Sequence, residues 1–108
     1  MNILLLDDEK AIHDLINIYL TKHIIYNAYD AKTAQQIIDN NQIDLIISDY
    51  MMPETNGINF INENRHIPAI LISGYMSPQN IPEGVCFLSK PFDPNELLKI
   101  IDYCTTNC

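Results

Sequence analysis

The sequence predicts an α/β domain with a doubly wound, five-stranded parallel sheet and helices on both faces. Two observations carry that expectation. Short apolar runs alternate with stretches of helical periodicity along the whole chain, which is the pattern of successive βαβ units joined by right-handed crossovers. Charged side chains also stand at the ends of the apolar runs. Asp7 and Asp8 follow residues 3–6, Asp49 follows 43–48, and Lys90 follows 85–89. In an open parallel sheet, the carboxyl ends of the strands form the rim where ligands bind.

Residues 3–6 are continuously apolar, as expected of a strand covered on both faces. Over 9–21, Ile12, Leu15, Ile16 and Tyr19 recur at helical spacing. Residues 24–28 read as the second strand. Asp30 then caps a helix whose inner face carries Ala34, Ile37 and Ile38. Residues 43–48 are the third and central strand. A short helix over 57–64 is expected to bury Ile58 and Ile61, or Phe60 with them.

Residues 69–73 and 85–88 are the fourth and fifth strands. Asp93-Pro94-Asn95-Glu96 joins an N-cap acid, a proline at the first helical position and an acid three residues after the cap. The helix it starts is expected to bury Leu97, Leu98, Ile101 and Cys104. Gly74, Pro78, Pro82 and Gly84 crowd the segment 74–86 and argue against a full helix there. One turn around 77–80, or an ordered loop, is expected.

A chain of 108 residues is read as a single domain, 1–108. Its 47% hydrophobic and 19% charged residues are those of a globular protein. No apolar run approaches the ~18 residues of a membrane span, and no basic segment precedes the first strand, so a cytoplasmic protein is expected. The net charge of −8 argues against direct nucleic-acid binding. Cys86, Cys104 and Cys108 lack metal-ligand spacing, and Cys86 and Cys104 suit small buried positions. His13 falls on the first helix and His23 and His66 in connections, so none is assigned chemistry. Glu9 is assigned to the positive end of the first helix.

Three carboxylates converging on one rim repel strongly, so a divalent cation, a lysine or both must hold them. A magnesium site beside a nucleophilic aspartate is the chemistry of phosphoryl transfer onto a carboxylate.

Four pieces in order, Leu6-Asp7-Asp8-Glu9, Ser48-Asp49-Tyr50-Met51-Met52-Pro53 with Gly57, Leu71-Ile72-Ser73-Gly74 and Phe87-Leu88-Ser89-Lys90-Pro91-Phe92, resemble the receiver domain of two-component response regulators. The likeness is to the single-domain, chemotaxis-regulator type. The resemblance implies a flavodoxin-like sheet of order 2-1-3-4-5, from which this chain departs by a shortened or missing fourth helix. It implies Asp49 as phosphoacceptor, with Mg²⁺ held by Asp8, Asp49 and the Met51 backbone carbonyl, and by Asp7 through water. Lys90 would face the phosphoryl oxygens, and Ser73 and Phe87 would form a coupled switch. Gly74 would keep the site open to the donor, Tyr75 and Met51 would flank the water path, and Lys90-Pro91 would be cis.

The implied partners are a histidine kinase or histidine phosphotransfer protein as donor and a protein target. Neither nucleic-acid binding nor membrane insertion is expected, and the chain would be a monomer or weak dimer. It would be a signalling switch rather than an enzyme, with slow self-dephosphorylation. Two other readings are a phosphorylation-independent interaction module and a magnesium-dependent phosphatase. The phosphatase would need a second acid where Met51 stands.

Overall fold

The computed structural model describes residues 1–52, 56–74 and 81–107. Five strands, β1 (Asn2–Leu6), β2 (Ile24–Ala28), β3 (Leu45–Asp49), β4 (Ala69–Ser73) and β5 (Cys86–Ser89), alternate with α1 (Lys10–Tyr19), α2 (Ala31–Asn40) and α3 (Gly57–Asn62), and α4 (Pro94–Asn107) closes the chain. All strand pairs are parallel, in the order β2-β1-β3-β4-β5. This is the expected doubly wound, flavodoxin-like architecture. The order changes direction between the adjacent strands β1 and β3, and a crevice opens at such a point beyond the strand carboxyl ends.

Strand alternation divides the interior into two parts. Ile3 and Leu5 of β1, Leu45 and Ile47 of β3, and Ile70 and Ile72 of β4 pack with Ile16 of α1 and with Leu97, Ile101 and Cys104 of α4. The intervening residues Leu4, Leu6, Ile46 and Leu71 pack with Ala34 of α2 and with Phe60 and Ile61 of α3. Helices thus cover both faces, which is why the strands read as unbroken apolar runs rather than alternating ones.

The helix starts follow local chemistry. Thr33 N donates to Asp30 Oδ1 at 2.7 Å. At α4, Glu96 N donates to Asp93 Oδ1 at 2.8 Å and Asp93 N to Glu96 Oε1 at 3.3 Å, a reciprocal capping box. Asn56 caps α3 by accepting from Ile58 N at 2.7 Å.

Three expectations need correction. Leu98 is 45% exposed while Leu97 is fully buried, because the buried stripe runs Leu97, Ile101, Cys104 at i, i+4, i+7 and leaves Leu98 about 100° around the helix. Cys86, expected inside its strand, is only partly buried, since β5 is an edge strand. Asp49 is the last residue of β3 rather than the residue after it, because the β3–β4 register runs on to Asp49 opposite Ile72. No helix lies between β4 and β5 among the described residues. The turn expected around 77–80 falls outside them, as does Cys108. Among the described residues, no helix is long and apolar enough to cross a membrane.

The register of α4 is testable. Leu97→Ala is expected to cost about 2–5 kcal/mol of unfolding free energy and Leu98→Ala less than ~1 kcal/mol. Denaturant titration of both variants checks it. Equal losses would mean that the helix is rotated from the position described.

Candidate functional site

The carboxyl ends of four strands meet around one lysine. Asp7 follows β1 directly, Asp49 ends β3, Ser73 ends β4, and Lys90 follows β5. Ser73 is paired in register with Ser89, and Lys90 N donates to Ser73 O at 2.7 Å. That bond starts the Lys90 side chain at the rim. Its Nζ lies 3.2 Å from Asp7 Oδ2, 3.2 Å from Glu9 Oε1 and 3.7 Å from Asp49 Oδ1. The peptide bond from Lys90 to Pro91 is cis.

Asp7, Asp8, Glu9 and Asp49 each offer an oxygen within 4.8 Å of the others. Asp8, Glu9, Asp49, Met51, Ser73, Gly74 and Lys90 line an open cleft of about 390 Å³. The structure therefore brings together Asp7, Asp8, Asp49, Met51, Ser73 and Lys90. Phe87 lies apart from this cleft lining. It is half-buried on β5 and packs against the α2–α3 side of the core. Tyr75 lies outside the described residues.

Burial sets the electrostatics. Asp7 is 0% exposed and Asp49 7%. Desolvation, then repulsion from Asp7, pushes the Asp49 carboxyl up to about 6, with Lys90 acting against that rise. Asp7 is also raised by burial, although the Glu9 amide and Lys90 oppose the shift. For Lys90, burial disfavours the charged form, but Asp7 and Asp49 outweigh it and its pKa is raised. One ammonium thus faces several carboxylates, two of them poorly solvated. An all-oxygen donor set with that excess of negative charge fits a small hard divalent cation such as Mg²⁺.

The loop after β3 is built on backbone contacts. Tyr50 N donates to Ile72 O at 2.8 Å, and Gly57 N donates to Tyr50 O at 2.8 Å. Ser48 Oγ donates to Asp49 O at 3.0 Å. A Cβ on Gly57 would collide with the Asp49 carbonyl oxygen, so only glycine lets α3 approach the strand end so closely. Gly74 is different. A Cβ there would meet Lys90 Cδ at 3.8 Å, an ordinary contact, so packing does not require glycine.

Two residues hold positions that sequence reasoning missed. Glu9, assigned there to the helix dipole, is the N-cap residue of α1 but makes no side-chain capping bond; its carboxylate reaches Lys90 instead. His13, set aside from chemistry, is buried and bonded to the Asp7 carbonyl. A signal for it was present: it stands three residues before Ile16, on the buried stripe of α1, where a polar side chain needs a partner.

The model of the response regulator receiver domain matches residues 3–102. The chain belongs to the response regulator receiver family. Regulatory protein VanR of Enterococcus faecium is 34% identical over 106 aligned positions, which cover 89% of this chain and 46% of that protein. The chain thus spans about half the length of this relative. Among solved structures, chemotaxis protein CheY4 of Vibrio cholerae superposes with a TM-score of 0.86 at 27% identity, covering 95% of this chain and 97% of that one. The receiver domain of the hybrid histidine kinase CckA gives 0.84 at 30% identity, covering 97% and 99%. The receiver family thus accounts for the sheet order and the placement of this rim.

Two outcomes follow from the geometry. Gly57→Ala is expected to cost about 1–3 kcal/mol through the clash with the Asp49 carbonyl, while Gly74→Ala is tolerated; thermal melts compare the two. The raised Asp49 pKa makes a second. The unfolded carboxyl titrates near 3.8 and the folded one near 6, so between those values the folded protein holds the extra proton. Stability from this group is thus highest below 3.8, is lost as pH rises towards 6, and is missing above it. In chelator, Asp49→Asn should raise Tm at pH 7.5, with the gain shrinking towards pH 4. Melts across that range test it; a pH-independent gain would assign the effect to packing.

Proposed function

We propose that this receiver domain accepts a phosphoryl group on Asp49 from a histidine kinase or histidine phosphotransfer protein, with Mg²⁺, and thereby switches a protein contact. The observation that supports this most directly is Asp49 at a strand end, facing an open cleft, with Lys90 Nζ 3.7 Å from its Oδ1. An Asp49 oxygen attacks the phosphorus as the phosphorus–nitrogen bond of the donor phosphohistidine breaks. A pKa of about 6 leaves the attacking carboxylate mostly ionised at neutral pH. The Lys90 ammonium balances charge on the phosphoryl oxygens. Asp8, Asp49 and the Met51 carbonyl are the groups that would hold Mg²⁺ directly, with Asp7 acting through water. Its chemistry there would be to neutralise the crowded negative charge.

Ser73 ends β4 and lines the cleft, and its hydroxyl would donate to a bound phosphoryl group. Phe87, half-buried on the neighbouring strand β5, would turn inward as Ser73 moves, and phosphorylation would favour that state. The chain acts as a switch, and the only hydrolysis assigned to it is slow loss of its own acyl phosphate. Its donor and target are proteins; nucleic acid and membrane are not partners. A monomer or weak dimer located in the cytoplasm fits this role.

Intact mass after incubation with acetyl phosphate and Mg²⁺ tests the reading. Wild type should gain one phosphoryl group, and Asp49→Asn or added chelator should abolish the gain. If neither acetyl phosphate nor a panel of phosphorylated histidine phosphotransfer proteins modifies wild type, the phosphorylation-independent module becomes the better account.

A further inference from the structure

We propose that His13 is a positioning residue that fixes the peptide joining Asp7 to Asp8, and so sets how the two carboxylates present themselves to a cation. The proposal rests on the phospho-accepting reading of the site. His13 lies on α1, is 2% exposed, and does not line the cleft.

Its Nε2 lies 2.8 Å from Asp7 O. A carbonyl only accepts, so Nε2 carries a proton and donates it. The preceding peptide is held as well, because Asp7 N donates to Ala28 O at 3.2 Å. With the peptide planes on both sides of the Asp7 Cα bonded, rotation about the Asp7 backbone is restricted and the Asp7–Asp8 peptide has little freedom to turn. The side chains on either side of that plane are Asp7, whose Oδ1 accepts from Glu9 N at 2.8 Å and whose Oδ2 accepts from Lys90, and Asp8 in the cleft wall.

The imidazole is itself held on three sides. Its Nδ1 stands 2.7 Å from the side-chain amide of Asn27 on β2. Asn17 Nδ2 donates to the His13 carbonyl at 2.6 Å and is paired with the same Asn27 amide. The Tyr29 ring stacks on the imidazole with centroids 4.1 Å apart and planes 26° from parallel. Buried ring nitrogens need polar partners in any role, and here those partners also fix the orientation of the ring. Together they aim one N–H at one carbonyl. Residues that orient metal-binding groups from behind typically change metal affinity tenfold to a hundredfold when removed.

Two substitutions separate donation from packing. In His13→Gln the carboxamide N–H reaches about as far as Nε2 and can donate to Asp7 O, whereas His13→Leu fills similar space with no donor. The measurements are the Mg²⁺ dissociation constant by calorimetry, well below each variant's Tm, and the ¹⁵N amide shifts of Asp8 and Glu9 in chelator. His13→Leu should weaken Mg²⁺ binding about tenfold or more and move both amides, while His13→Gln should stay within about threefold and keep the amides near their wild-type positions. Wild-type affinity and amide shifts in His13→Leu would overturn the proposal, as would equal losses in both variants, which would place the effect in ring packing. If wild type takes up no Mg²⁺, the phospho-accepting reading falls, while the amide shifts still decide whether His13 sets the peptide.

Discussion

The site depends on one imbalance of charge: a single lysine ammonium set among four carboxylates, two of which are nearly cut off from water. Like charges in a poorly solvated cluster cost free energy that a surface cluster would not. The fold imposes this arrangement. Parallel strands all point their carboxyl ends the same way, so residues that end or directly follow β1, β3, β4 and β5 must share one rim. Lys90 reaches Asp7 across two intervening strands, and it does so because its own amide is bonded to Ser73 O at the end of β4. A site built this way is poised to bind whatever relieves the repulsion.

Most of the fold was legible because its signals are local. Residues 3–6 and 69–73 are apolar without interruption, Asp30 and Asp93 are strong helix starts, and the alternation of elements leaves few topologies open. Asp7, Asp8, Asp49 and Lys90 could be placed together because each ends an apolar run. What was not legible depends on which way a side chain turns. Leu97 and Leu98 are chemically identical neighbours, and only the helix's rotation against β4 and β5 decides which one is buried. Glu9 could as well have stayed with its helix; Lys90, 81 residues away, draws it across. His13 shows the same limit, since its partners Asp7 and Asn27 come from separate strands.

Glycine is used with economy around the rim. Gly57 lets the first turn of α3 rest against the backbone of the strand that carries Asp49, and no side chain of any size could do so. Gly74 sits over Lys90 with room for a methyl group. One glycine therefore serves packing and the other leaves open space above the lysine, although both lie against the same rim.

The two-sided interior has a consequence for how this protein tolerates change. The α1–α4 half and the α2–α3 half share the backbone of the sheet but few side-chain contacts, because alternate residues of each strand face opposite ways. Free energies of substitution in one half should therefore add to those in the other, whereas neighbours within a half should be coupled. Each half can drift in volume and shape under its own constraints without forcing compensation on the far side. The exceptions lie at the rim, where Asp7, Asp49, Ser73 and Lys90 meet, and it is there that the histories of the two halves are joined.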